Sequence, residues 1–518
     1  MDRFDEEKMA GVAAAPAAMA EKAASYDSDN KGTATDAAPD AQAATSQAFR
    51  LDPYGIPLYP PPTDDDHDPL NWSRAYKYAI LFVVCYATFL AVYMTCTSNE
   101  AFFLLQEQFD ATYSQVNWTF AIPSLGLAAG PLLLCSVADS HGRRPVLIFG
   151  TILTMIATGC TTIRSLSYGG YMAFRFLQGI GAGPPVVLGF SIIRDISWEH
   201  ERGVNIGIWV MALDIGGVLG ALVGGFTAAT GPFWANYHVA IGYGVLLLLE
   251  VFFLPETLYP RDKVLAMAEN GEDLQALRRT KDIKPWTFMK IPGVPHPRPE
   301  QALIRFVKCF AHPRLLLAIL PYLFFEYWWI CSYLTMLPTA YEQYSTQVQG
   351  LLFIGLILGT VLAEVFVSGR LSDTIVSRLA LRNNNVRTPE MRIYLGYPGA
   401  VLGAAGAIIW GLSIDRNWHW ITGQVAFVLF SAGMQLGNSV VSTYIFDCYP
   451  DAVVEVITFY SVLLNLSAFA EPWFINYWVE AVGYTWCFVT QGLITLLLIP
   501  AFFALQKFGP RLAKELKF

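Results

Sequence analysis

Residues 135–147 read CSVADSHGRRPVL. One carboxylate, one histidine and two adjacent arginines stand here between two long apolar runs, 116–136 and 145–163. A helix needs about 20 apolar residues to cross the hydrocarbon layer of a bilayer, and each run has roughly that length. A stretch so short and so polar neither forms a domain nor sits in a core. It reads as a turn at a membrane surface, which makes both of its flanks spanning helices.

Working outward, comparable runs lie at 76–97, 168–192, 204–228 and 236–255. A second set follows at 313–338, 348–369, 393–413, 418–446, 453–478 and 483–506. These runs predict an all-α membrane protein with twelve transmembrane helices in two six-helix bundles. Composition agrees: of 518 residues 54% are hydrophobic and only 15% charged, whereas soluble domains carry about 25% charged residues. The net charge of −8 is dominated by acidic tails and loops, and no nucleic-acid partner is expected.

The expected organisation is a disordered cytosolic tail over 1–73, a first bundle over 74–255, a cytosolic central loop over 256–312, a second bundle over 313–507 and a cytosolic tail over 508–518. The first residues are rich in alanine, acids and small polar groups and lack the apolar core of a signal peptide. With both termini cytosolic, all lysines and arginines except Arg164, Arg175 and Arg416 fall on the cytosolic side, as the positive-inside rule requires. The eight cysteines and seven histidines are dispersed, so no disulfide framework, metal site or cofactor is expected. No nucleophile motif suggests an enzyme.

The polar turn has a counterpart. Asp139 follows the second run and Asp373 follows the eighth, the latter trailed by Arg378, Arg382, Arg387 and Arg392. An aspartate followed by arginines at matching places points to an internal repeat.

Ionisable side chains in mid-membrane are costly and usually face a cavity. Arg175, Asp214 and Glu326 hold such positions. Glu364, Asp447 and Glu455 fall near cytosolic ends of their runs, Glu250 one turn from such an end, and Glu471 nearer the outer end. These five are expected to be hydrated carboxylates. Around Glu326, in LPYLFFEYWWICSYL (320–334), regular helical spacing places Tyr322, Trp329, Ile330 and Tyr333 on the glutamate's own face. An acid ringed by aromatics suits an organic cation, each ring contributing about 0.5–2 kcal/mol; packing against helices or lipid is the alternative. Proton and cation would then compete for Asp214 or Glu326. Gln435, Asn438, Tyr460 and Asn465 are expected to bond neighbouring helices, at about 0.6 kcal/mol each. Gly216, Gly220 and Gly224 recur every four residues and form one close-packing stripe.

Taken together the chain resembles the major facilitator superfamily, most closely the twelve-spanner drug:proton antiporters of fungi. The family turn G-x-L-A-D-R-x-G-R-R/K-x-x-L is matched at Asp139, Gly142, Arg143, Arg144 and Leu147, with Cys135 and Ser140 departing from it. R-x-x-Q-G-x-G is matched at Arg175, Gln178, Gly179 and Gly181. The antiporter motif G-x-x-x-G-P-x-x-G-G is matched at Gly216, Gly220, Gly224 and Gly225, with Ala221 in place of proline. DPLNWS (68–73), EHERG (199–203), PET (255–257) and RTPEMR (387–392) resemble fungal members.

The resemblance implies the major facilitator fold and a gate at the opening turn. There Asp139 caps a helix N-terminus or pairs with an arginine, Arg194 and Arg202 being candidate partners and Asp195 an acidic counterpart. Arg143 and Arg144 share the gate, and Asp373 is its equivalent in the second half. The function implied is proton-coupled export of small amphiphilic or cationic compounds, drugs or secondary metabolites, by alternating access. Proton-coupled uptake of polyamines or other organic cations is one alternative, and a transporter-like membrane sensor another. The partners expected are a small-molecule substrate, protons and the bilayer, for a monomer in the plasma membrane or, alternatively, the vacuolar membrane.

Overall fold

Ser73 accepts a bond from the Tyr76 N–H at 3.4 Å and so starts the first spanning helix, α1 (Arg74–Cys96). The computed structural model describes residues 58, 60, 63, 65–231, 233–269, 299–368, 370–383, 388–449 and 453–512. Most of the expected N-terminal tail, the middle of the central loop and residues 513–518 of the C-terminal tail lie outside the described residues. The first half continues with α2 (Tyr113–His141), α3 (Arg143–Cys160), α4 (Tyr168–Ile196), α5 (Glu199–Thr230) and α6 (Trp234–Phe253). The second half holds α7 (Pro313–Ala340), α8 (Thr346–Val367), α9 (Pro389–Asp415), α10 (Trp420–Cys448), α11 (Val453–Ala470) and α12 (Ile475–Leu512).

Ten of these are long and apolar enough to cross a membrane among the described residues. The other two, α3 and α11, have 18 residues each, and α3 is diluted by the arginine pair at its start. Phe82, Phe252, Phe366 and Trp486 stand exposed on outward faces, where lipid is the natural solvent.

Two glycines set the chain's path. Gly142 has φ +104° and separates α2 from α3, a conformation that side chains resist. Gly483, at φ +77°, breaks the last helical stretch, so the eleventh pass runs on from α11 through the short turn Glu471–Trp473 before the twelfth begins. That accounts for the expected boundary between 478 and 483.

Within the first half, α2 packs on α4, α1 on α5, and α3 on both α4 and α6; in the second, α10 packs on α8 and α9, and α9 on α12. The two bundles meet through α5 against α8 and α11 against α2. Small residues make the closest crossings. Gly216, Gly220 and Gly224 lie on the backbone of Phe89, Tyr93 and Thr97, a matching ladder on α1. Gly179 lies on Pro123 and Gly126 of α2, Gly181 on Gly150 of α3, and Gly225 on Gly350 of α8. Ala221 is fully buried within α5, which runs unbroken to Thr230.

The surface segments are also ordered by specific bonds. Asp68 accepts the Leu70 N–H at 3.0 Å and takes the Arg261 guanidinium on both oxygens, at 2.8 and 3.3 Å. Asp65 accepts the Tyr259 hydroxyl at 3.0 Å. The residues ahead of α1 are thereby latched to the segment that leaves α6. The stretch expected as the central loop contains the helices Arg261–Glu269 and Pro299–Cys309. The second of these rests on both α2 and α11, with Arg305 paired to Glu455 at 2.8 Å.

Candidate functional site

Asn438, on α10, faces the first half of the molecule. Its Nδ2 donates to both carboxylate oxygens of Asp214 on α5, at 3.1 and 3.3 Å. Its Oδ1 accepts the hydroxyls of Tyr460 at 2.9 Å and Ser442 at 3.2 Å. One turn earlier on the same face, Gln435 donates to Glu364 Oε2 at 2.8 Å. Glu364, expected as a hydrated end residue, is instead half-buried, and a Cβ on Gly207 of α5 would lie 3.1 Å from its Oε1. The result is a cluster of two acids, two amides and two hydroxyls where the bundles meet. The bonds just described are all donated by neutral amides and hydroxyls. Such a cluster can hold a proton or an organic cation.

Glu326 is placed differently. It is fully buried, and neither carboxylate oxygen has a hydrogen-bond partner. Its carboxylate lies in a niche left by two glycines, Gly437 on α10 and Gly403 on α9, where a Cβ would stand 2.7 Å from Oε1. The expected aromatic ring is only partly formed. Tyr322 packs beside the carboxylate against Gly437. Trp329 instead donates to Phe325 O at 2.9 Å and meets Trp478. Tyr333 is enclosed by Trp410, Phe427, Phe430 and Phe488, with ring centroids 4.5–5.4 Å away. The cause is local: Leu323–Tyr327 form a π-turn. The wider turn shifts every later side chain off the face that regular helical spacing assigns it.

Arg175 does not join either acid. Fully buried on α4, it donates to Met94 O at 2.9 Å, Thr95 O at 3.1 Å and Thr119 O at 3.3 Å, and to Gln178 Oε1 at 3.2 Å. Its role here is to clamp carbonyls of α1 and α2 rather than to bias a carboxylate in a cavity. Glu250 and Glu471, also expected to be hydrated, are both fully buried; Asp447 and Glu455 do lie at helix ends, paired with Arg392 and Arg305.

At the polar turn, the residue that caps the helix is Glu256, which the sequence reading quoted only as part of PET. Its Oε1 accepts the N–H of Arg143 at 3.1 Å and of Leu258 at 2.9 Å, and its Oε2 accepts the N–H of Arg144 at 3.1 Å. It thus occupies the positive end of α3. Burial pushes this carboxyl above its ordinary value, opposed by those three N–H groups and by the Arg143 charge. Any Cβ at Gly142 would collide with Glu256 Oε2. The Arg143 side chain forms an ion pair with Asp195 at the end of α4, and Arg144 donates to Val251 O at 2.6 Å. Arg202 lies in the first turn of α5. The side chains of Asp139 and Asp373 lie outside the described residues.

Comparison with known proteins completes the description. A family model described as Major Facilitator Superfamily matches residues 81–470. The MFS-type efflux pump MFS2 of Trichophyton rubrum is 26% identical over 475 residues, covering 90% of this chain and 78% of that protein. The probable efflux pump mfs2 of Aspergillus flavus is 26% identical over 386 residues, 73% of this chain and 89% of the relative. Among solved structures, the xylose transporter XylE from E. coli, in a partially occluded inward open conformation, matches with a TM-score of 0.59. It is 18% identical and covers 84% of this chain and 98% of its own, a likeness of fold alone.

Proposed function

This chain belongs to the Major Facilitator Superfamily and is a multi-pass membrane transporter, and from that premise we propose that it exports small amphiphilic or cationic compounds in exchange for protons. The observation that carries the proposal is the acid cluster at the junction of the bundles, Asp214 bonded to Asn438 and Glu364 to Gln435. The two named relatives are efflux pumps, which supports the outward direction.

In this reading a protonated or cation-loaded Asp214 is neutral overall. The bundles then rock about the cluster without leaving an uncompensated charge between them. An empty, ionised Asp214 resists that movement, so proton and substrate exchange for one another. Tyr322 and Tyr460 offer ring faces and hydroxyls near the same carboxylate. Glu326 stores a proton inside the second bundle, in its glycine niche. The bundles comprise residues 74–255 and 313–507 of a monomer. Both termini are cytosolic and the membrane is the plasma membrane.

The test is a transport panel in cells lacking or overexpressing the protein, with and without a protonophore. Export predicts lower retention of cationic dyes such as ethidium on overexpression, abolished by the protonophore. Accumulation of labelled spermidine on overexpression would contradict it.

A further inference from the structure

One acid of the second bundle takes part in neither the junction cluster nor the Glu326 niche. Glu471 opens the short turn that follows α11 and is fully buried. Ser332 on α7 donates to its Oε1 at 2.5 Å, and Gln491 on α12 donates through Nε2 to the same Ser332 hydroxyl at 3.2 Å. These bonds use one polar atom of each side chain. The remaining oxygens, Glu471 Oε2 and Gln491 Oε1, are buried and have no partner. α7, α12 and the turn after α11 therefore converge on a cradle that holds two acceptor oxygens without a donor.

The other titratable groups facing Glu471 are Cys331 on α7 and Cys487 on α12; on α2 the neighbour is Trp118, stacked on Trp473 at 4.5 Å. No lysine, arginine or histidine among the described residues is paired with the acid. A carboxylate held away from water is relieved by a cation or by a proton. A proton on Oε2 removes the buried charge and turns one of the two unpartnered acceptors into a donor.

The location gives that proton a use. Ser332 and Trp328 form two rungs from α7 to α11, Ser332 to Glu471 and Trp328 Nε1 to Ser467 O at 2.6 Å, one turn apart on both helices. Ser332 lies on the helix that carries Glu326, and Trp473 is two residues beyond Glu471. Trp473 touches the first bundle through Trp118 of α2.

We propose that Glu471 is a second proton-binding residue of the transporter, held in place by Ser332 and Gln491 and distinct from Glu326. The step is the formation of one O–H bond on Oε2 by a proton from water, and its reversal. The proposal rests on the proton-coupled reading above.

The test is infrared difference spectroscopy of the full-length protein in liposomes, titrated with pH, for the wild type and for Glu471→Gln, Glu326→Gln and Ser332→Ala. Glu471→Gln is expected to lose one carboxylic-acid carbonyl band that Glu326→Gln keeps, and Ser332→Ala to displace that band without removing it. In the same liposomes Glu471→Gln is expected to lower ethidium movement driven by a pH gradient by about tenfold. Retention of every wild-type carboxylic band in Glu471→Gln overturns the proposal. A wild type indifferent to the pH gradient overturns the proton-coupled reading instead, and the band then still reports the Glu471 proton by itself.

Discussion

Asp214 on α5 and Asn438 on α10 join the two bundles through hydrogen bonds of 3.1 and 3.3 Å from one amide to both carboxylate oxygens. The other bonds of Asn438, from the hydroxyls of Tyr460 and Ser442, stay within the second bundle, so the bond to Asp214 is the one that must be broken or remade whenever the bundles move apart. Asp214→Asn sets amide against amide and is expected to slow export about tenfold or more, with the protein still reaching the membrane. The exchange Asp214→Asn with Asn438→Asp restores a donor–acceptor pair. A double-mutant cycle on efflux rates should show coupling of about 0.5–3 kcal/mol; additive losses would mean the contact is incidental.

Gly142→Ala meets two obstacles, a φ of +104° and the Glu256 carboxylate. The backbone alone costs about 1–3 kcal/mol. The expected outcome is a lower melting temperature of the purified protein with the same helix content, and an unchanged melting curve would remove Gly142 from the turn's geometry.

Glu256→Gln replaces an oxygen with an amide NH₂ facing a backbone N–H of α3, at a cost of about 1–3 kcal/mol. The pH dependence carries a second signature. Burial raises the carboxyl above its ordinary 4.5, so the folded state binds this proton more readily than the unfolded chain. The associated stability is fully present below 4.5 and is lost as pH rises through the raised folded value. Melting curves across that window should show a contribution in the wild type that Glu256→Gln lacks.

Arg261→Ala leaves Asp68 fully buried without its cation and is expected to destabilise the latch by about 3 kcal/mol. Asp65 in the same latch behaves oppositely to Glu256 with pH. Burial is the largest influence on it and acts upward, but bonds from His67 and the Tyr259 hydroxyl prevail and hold it below 3.8. Its stabilising contribution is present above 3.8 and is lost as pH falls through the lower folded value. Limited proteolysis ahead of α1 should therefore accelerate only in strong acid, and earlier in Tyr259→Phe.

The fold was legible because apolar length is a local property: each run of about 20 residues declares itself without knowledge of its neighbours. Even the break at Gly483 left its mark between two runs. The site was legible in part. Asp214 and Glu326 stood out as carboxylates in apolar surroundings, yet what each touches depends on helices distant in sequence. Asn438 and Gln435 read as ordinary packing amides until α5 and α8 were set against α10. The π-turn at 323–327 has no signature in period or composition, so Trp329 and Tyr333 were assigned a face they do not share with Glu326. Glu471 was obscured because its position near a helix end suggested water, and Glu256 entered only as part of PET; only the packing shows both enclosed.

The central claim, proton-driven export through Asp214 at the junction of the bundles, is tested most directly by ethidium accumulation in inverted membrane vesicles under an imposed inside-acid gradient. Wild-type vesicles are expected to concentrate the dye and to release it when a protonophore is added, whereas Asp214→Asn vesicles with equal protein content should concentrate it at least about tenfold more slowly. Equal, protonophore-insensitive accumulation in both would contradict the account.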